Sequence, residues 1–197
     1  MKEVIIATQN IGKAKEFEHI FEQYQIQVKS LRDLNDSIDI IEDGETFEEN
    51  ALIKAKAIAS KYHALVIADD SGLAIDVLNG RPGVYSARYA GEGRDDQANI
   101  DKVLSELEGV ESKKRTARFV CALALVTPDG KEYVVRGECE GQILTECRGY
   151  EGFGYDPIFY LPSLEKTMAE IPKREKNILS HRAEAFKKLQ QILMDII

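Results

Sequence analysis

Apolar residues fall along this chain in short runs and at helical spacings that alternate from the start. Val4-Ile5-Ile6-Ala7 is a short apolar run, and Phe17, Ile20, Phe21 and Tyr24 then recur at helical spacing. The pattern predicts a strand, a polar loop Thr8–Lys13 and a helix. Residues 26–31 can form a second strand, and residues 32–45 are acidic and turn-rich. Thr46-Phe47-Glu48-Glu49 has the spacing of a capping box, with Thr46 as N-cap and Glu49 reaching back to it. It predicts a helix from about Phe47 to about Tyr62, through Leu52, Ala55, Ile58 and Ala59. Ala64–Ala68 shows no polar alternation and reads as a buried strand. That run stops at Asp69-Asp70-Ser71-Gly72, where the pattern predicts a turn, and Leu73–Leu78 opens a second short apolar segment.

In the second half, Asp95 and Asp96 are N-cap candidates for a helix carrying Ile100, Val103, Leu104 and Leu107, with Gly109 as its stop. Thr116–Thr127 is β-rich, Pro128-Asp129-Gly130 is a turn, and Lys131–Glu140 is the returning strand of a hairpin. Gly141–Leu144 either continues that strand or turns away. Ile158-Phe159-Tyr160 reads as a strand and Pro172–Asn177 as a basic loop. Ser180 is the expected N-cap of a last helix with Phe186, Leu189, Leu193 and Ile196 on its apolar face. No internal repeat, low-complexity segment or linker interrupts the sequence.

Composition narrows the class. A chain of 197 residues with 44% hydrophobic and 30% charged residues can bury a sizeable core as one domain or one two-lobed domain. The net charge of −8 disfavours a long nucleic acid as partner, since neutralising a phosphate polymer calls for a strongly basic face. A small anion needs only a local basic pocket. Cys121, Cys139 and Cys147 show no metal-ligand or redox spacing and make no even disulfide set, as in a reducing compartment. With no signal-peptide pattern and no apolar run of spanning length, the expectation is a cytoplasmic protein without a membrane partner.

Chemistry concentrates at few places. Asp69 and Asp70 set two adjacent carboxylates against a buried strand, where they repel one another unless a cation sits beside them. A solvated acidic turn is the plain alternative. Cations and turn residues follow closely in Gly80-Arg81-Pro82-Gly83 and Ser86-Ala87-Arg88-Tyr89. The Thr8–Lys13 loop opens a helix, so its amides and the side chains of Thr8, Asn10 and Lys13 can face an anion, although Asn-x-Gly is also a plain turn. In Gly149–Pro157 three glycines alternate with aromatics. That suits close approach and stacking by a planar ligand, or equally an aromatic turn packed on the core. His181 and Arg182 fall in the first turn of a helix, where the dipole disfavours cations, a local conflict of the kind functional sites show.

Together TQNIGK at 8–13, GETFEENALIKAKA at 44–57, ADDSGLAIDVLNGRPGVYSARYAG at 68–91, GFGYDPIF at 152–159 and KNILSHR at 176–182 resemble the non-canonical purine nucleoside triphosphate pyrophosphatases, also called inosine or xanthosine triphosphate pyrophosphatases. The motifs stand in the family's order and span almost the whole chain. The resemblance implies an elongated α/β fold, with a long central mixed sheet flanked by helices and an active site between two lobes of a single domain, residues 1–197. It implies hydrolysis of ITP, dITP or XTP to the monophosphate and pyrophosphate, which clears deaminated purines from the nucleotide pool. Mg²⁺ is the implied cofactor and a homodimer the implied assembly.

The same resemblance assigns residues. Glu42 and Asp70 match metal-site carboxylates, and Asp70 matches the general base, with Asp69 supporting or sharing that role. Lys13, Lys54 and the loop Thr8, Gln9, Asn10, Ile11 and Gly12 are expected on the phosphate tail, and Ser71 on the substrate. Phe153, Gly154, Tyr155 and Asp156 are expected to contact the substrate, with Phe153 stacking on the base, while Asp156, Lys176, His181 and Arg182 read the purine edge. Hypoxanthine and xanthine carry an acceptor oxygen where adenine carries an amino donor, so cationic donors there discriminate between them. Two other readings are a pyrophosphatase acting on modified pyrimidine triphosphates and a non-catalytic nucleotide-binding protein. The first lacks a use for GFGYDP and SHR, and the second for Glu42, Asp69 and Asp70 together.

Overall fold

A computed structural model describes residues 3–8, 11–22, 26–34 and 40–196, with backbone alone for Glu16, His19, Ile20 and Glu22. Gln9, Asn10 and Tyr24, named above, lie outside the described residues. The strands are β1 Glu3–Ile6, β2 Gln27–Ser30, β3 Val66–Ile75, β4 Thr116–Val126, β5 Glu132–Ile143, β6 Phe159–Leu161 and β7 Lys166–Thr167. The helices are α1 Ile11–Glu22, α2 Phe47–Tyr62, α3 Asp96–Glu106, α4 Lys173–Leu179 and α5 His181–Ile196. The seven strands form one mixed sheet in the order β2-β1-β3-β4-β5-β6-β7. β1 is parallel to β2 and β3, and β6 is antiparallel to β5 and β7. This is the mixed-sheet α/β architecture that the resemblance implies.

Local signals set several boundaries. Thr46 Oγ1 accepts from Glu49 N and Glu49 Oε2 accepts from Thr46 N, both at 3.1 Å, so the capping box starts α2 where its spacing requires. His63 ends that helix in the left-handed region, its N–H bonded to the Ala59 carbonyl. Asp95 caps α3 by accepting from Ala98 N at 3.0 Å, and Ser180 caps α5 by accepting from Ala183 N at 3.2 Å. The hairpin forms through Thr127, whose N–H bonds Lys131 O at 3.0 Å, and β5 continues past Glu140 to Ile143.

Two expectations fail. The chain does not turn at Ser71-Gly72: β3 runs unbroken for 10 residues through Asp69-Asp70-Ser71-Gly72. The carboxylates are tolerated in a central strand because each meets a lysine, and Gly72 marks a close backbone approach rather than a bend. Pro172–Asn177 is not a basic loop. Pro172 immediately precedes α4, a position where its missing N–H costs nothing, and the residues after it are helical.

The chain divides into two compact units. The first comprises residues 1–70, 122–136 and 185–197, and the second residues 71–121 and 137–184. In the first, Val4, Ile6, Phe17, Phe21, Ile58, Val66, Ile67, Leu123 and Leu189 are buried, and Phe21 meets Phe186 edge-on at 5.1 Å. The core of the second gathers Leu73, Ile75, Ile100, Val103, Leu107, Phe119, Ile143, Tyr155, Ile158, Phe159 and Met168. Cys121, Cys139 and Cys147 are free thiols. Among the described residues no helix is long and apolar enough to cross a membrane.

Candidate functional site

In the first unit the strand pleat decides the arrangement. Successive side chains of β3 project to opposite faces, so Asp69 and Asp70 are met by lysines from different helices. Lys13 of α1 pairs with Asp69. Lys54 of α2 lies 3.3 Å from Asp70 Oδ1 and 3.0 Å from Glu42 Oε2, which joins the two carboxylates through one ammonium. Asp69 is 2% exposed, and Asp70 and Lys54 are each 9% exposed, so these charges interact with little solvent screening. Burial pushes the Asp70 carboxyl above its ordinary value, and the neighbouring lysines offset this only in part. Burial alone would weaken the Lys54 ammonium, but Asp70 and Glu42 outweigh it and hold its pKa above the usual lysine value. Asp70 Oδ2 is buried and, among the described residues, has no hydrogen-bond partner.

Thr8 follows the end of β1. Thr8 is buried, and Ile11 and Gly12 form the first turn of α1, which contains no acidic residue. A helix start without carboxylates leaves its dipole and amides available to an anion. Lys56, the other lysine in the middle of α2, is exposed and reaches Glu132 at 2.7 Å on the surface.

The second unit builds a different cluster around the segment 152–156. The Asp156 carboxylate accepts from Lys176 Nζ and, at 3.0 Å, from Phe153 N. Burial raises the Asp156 pKa, with Lys176 the main opposing influence. Phe153 is 39% exposed. Lys176 Nζ and the Arg182 guanidinium lie 5.3 and 6.0 Å from its centroid, within cation–π range. Arg182 Nη2 donates to Ser71 Oγ at 2.9 Å. His181 is buried and stacks on Phe119 at 5.0 Å between centroids. Gly152, at φ 85°, has no room for a side chain, because a Cβ there would run into the Asp156 carboxylate and come within 3.0 Å of Lys176 Nζ.

The expected residues thus fall into two sets. Glu42, Lys54, Asp70, Lys13 and Asp69 come together in the first unit. Ser71, Phe153, Asp156, Lys176 and Arg182 come together in the second, where His181 packs on Phe119. Tyr155 differs from the others: its ring belongs to the core and its hydroxyl donates to Ser86 O at 2.7 Å. Its side chain therefore supports the segment from beneath. Gly154 also has a partner that periodicity could not supply, since its N–H donates to Asp96 Oδ2 at 2.7 Å. Ser86 is a further residue hard to foresee. Its Oγ accepts from Leu73 N at 2.8 Å and donates to Gly83 O at 2.6 Å, which clamps the 3₁₀ turn Gly83–Arg88 to β3. Its hint was a serine three residues after Gly83, a spacing too common to single out.

Among the described residues no group of three or more His, Cys, Asp or Glu side chains gathers as a cation site. Glu42 and Asp70 are nonetheless a donor pair of the right kind. Small hard divalent cations take a few carboxylate oxygens and complete their shell with water and substrate phosphates. The unpartnered Asp70 Oδ2 is the atom such an ion would satisfy.

The model of the Ham1 family matches residues 4–192. A protein of Bacillus anthracis named dITP/XTP pyrophosphatase is 55% identical over 193 residues, covering 97% of this chain and 96% of that protein. The dITP/XTP pyrophosphatase of Bacillus subtilis strain 168 is 58% identical over 193 residues, covering 98% of each. Among solved structures, the Staphylococcus aureus Ham1 protein superposes with a TM-score of 0.90 at 45% identity, covering 100% of both chains. A HAM1 protein from Coxiella burnetii gives 0.90 at 41% identity, over 99% of this chain and 100% of that one.

Proposed function

The chain belongs to the Ham1 family, and on that premise we propose that it hydrolyses deaminated purine nucleoside triphosphates (ITP, dITP and XTP) to the monophosphate and pyrophosphate. The observation that carries the reading is Asp70. It is buried in a central strand, shares Lys54 with Glu42, and among the described residues keeps one oxygen without a hydrogen-bond partner. A structural carboxylate would be expected to have both oxygens satisfied.

In this reading Glu42 and Asp70 hold a divalent cation, Mg²⁺, which supplies neutralisation of phosphate charge when bound. Asp70 orients the attacking water and accepts its proton. Lys13 and Lys54, with the amides of Ile11 and Gly12, hold the phosphate tail and stabilise charge that builds on the pyrophosphate leaving group. Asp69 keeps the Lys13 ammonium in place. Phe153 stacks on the purine, and Asp156, Lys176, His181 and Arg182 form the polar edge that distinguishes a 6-oxo from a 6-amino base. We extend the proposal to a homodimer acting in the cytoplasm, with light scattering as the test of the dimer.

The deciding experiment incubates the full chain and Mg²⁺ with a panel of purine, pyrimidine and modified triphosphates, identifies the products, and repeats the run with EDTA. The expected result is inosine monophosphate with pyrophosphate from ITP, and loss of turnover with the chelator. Orthophosphate as product, turnover confined to modified pyrimidines, or no turnover at all would overturn the proposal.

A further inference from the structure

Asp95 and Asp96 open α3 side by side, but only one is needed to cap it. Asp95 takes the cap by accepting from Ala98 N at 3.0 Å. The Asp96 carboxylate is turned instead to a residue 58 positions away, accepting from Gly154 N at 2.7 Å. That amide lies within the segment that carries the Phe153 ring. The segment has a demanding backbone, with Gly152 at φ 85° and Gly154 at φ 60°. Left-handed glycines cost more conformational entropy to fix than other residues do. Consecutive amides are therefore held by two carboxylates: Phe153 N by Asp156 and Gly154 N by Asp96. Tyr155, through its hydroxyl on Ser86 O, fixes the next residue from the core side.

We propose that Asp96 is a positioning residue for base recognition: by holding Gly154 N–H it fixes the orientation of the Phe153 ring over which the purine stacks. The proposal rests on the function proposed above. Asp96 touches no substrate. It acts by removing backbone freedom from the segment before the nucleotide arrives, and such pre-organisation appears as affinity. A charged acceptor suits the task, because charge-assisted hydrogen bonds are shorter and stronger than neutral ones.

The test compares wild type, Asp96→Ala and Asp96→Asn as full chains with Mg²⁺, measuring kcat and KM for ITP and the exchange rate of the Gly154 amide by NMR. For Asp96→Ala the expected result is a rise in KM for ITP of about threefold to tenfold with kcat within about twofold, the range one lost hydrogen bond supports. The Gly154 amide should exchange faster. Asp96→Asn, which keeps an acceptor oxygen, should recover most of the KM. Faster amide exchange with unchanged KM makes the contact purely structural and overturns the proposal, as does an equal loss in kcat for both variants. Failure of the underlying function shows separately, as absence of ITP turnover in the wild-type arm, and overturns both.

Discussion

Arg182 Nη2 donates to Ser71 Oγ over 2.9 Å, which ties the first turn of the last helix to the residue that follows Asp70 along β3. Arg182 is 3% exposed and its guanidinium lies 6.0 Å from the Phe153 centroid, so it faces both the protein and the aromatic ring. Five N–H donors in a rigid fork allow one arginine to serve both sides.

Replacing Arg182 with alanine should therefore have two effects. Loss of a charge-assisted bond to the base should lower kcat/KM for ITP by about tenfold to a hundredfold, with much less effect on any ATP activity. Loss of the Ser71 contact should also lower the melting temperature. Ser71→Ala separates the two, since it should lower the melting temperature while largely retaining the ITP-to-ATP ratio. If Arg182→Ala leaves that ratio unchanged, the arginine is structural only.

Asp70→Asn keeps the shape of the side chain and removes its charge. Lys54 retains Glu42 at 3.0 Å, so the ammonium is not left alone. Turnover of ITP should fall by about 10²–10⁴-fold, the usual contribution of a general base. The circular dichroism spectrum should be unaltered. A kcat near that of wild type with Mg²⁺ present would remove Asp70 from the chemistry.

Gly72 is the point in β3 where a side chain cannot fit. A Cβ there would lie 2.7 Å from Gly83 O and 2.8 Å from the Ser86 Cβ. Backbone cannot yield as the tip of a side chain can, so Gly72→Ala should destabilise the protein by about 1–3 kcal/mol through overpacking. Urea unfolding curves measure this, and a midpoint equal to that of wild type would contradict the close approach.

Asp156 gives a pH signature of stability. Its carboxyl is raised above the ordinary value of 3.8, chiefly by burial. The stability it contributes is then complete below that value and is lost as pH rises through the raised one. An asparagine does not titrate, so the melting temperature of Asp156→Asn relative to wild type should move in the variant's favour as pH is raised from about 4 towards neutrality. Melting curves of both proteins at matched pH values read the difference directly. A constant gap, or one moving the other way, would mean that Lys176 outweighs burial.

Much of this fold is a matter of local chemistry, which a sequence carries openly. The capping box at Thr46 and Glu49, the Pro128-Asp129-Gly130 turn, the serine cap at Ser180 and the apolar spacing of α2 and α5 act over a few residues, and each element begins where its signal stands. The motifs from TQNIGK to SHR likewise identify the family without coordinates. What only the tertiary structure decided depends on partners distant in the chain. Asp69-Asp70-Ser71-Gly72 reads as a turn because two carboxylates should not sit in a central strand. It is strand because Lys13 and Lys54, 56 and 16 residues away, offset those charges on opposite faces of the pleat. Tyr155 stands in a segment of alternating glycines and aromatics, and its ring lies in the core with its hydroxyl on Ser86, 69 positions earlier. Asp96 reads as a second cap and reaches Gly154 because Asp95 already holds the cap. Propensity and periodicity report only what a residue does with its near neighbours. A buried charge or hydroxyl is settled by whichever distant group satisfies it, and that becomes visible only when the chain has closed on itself.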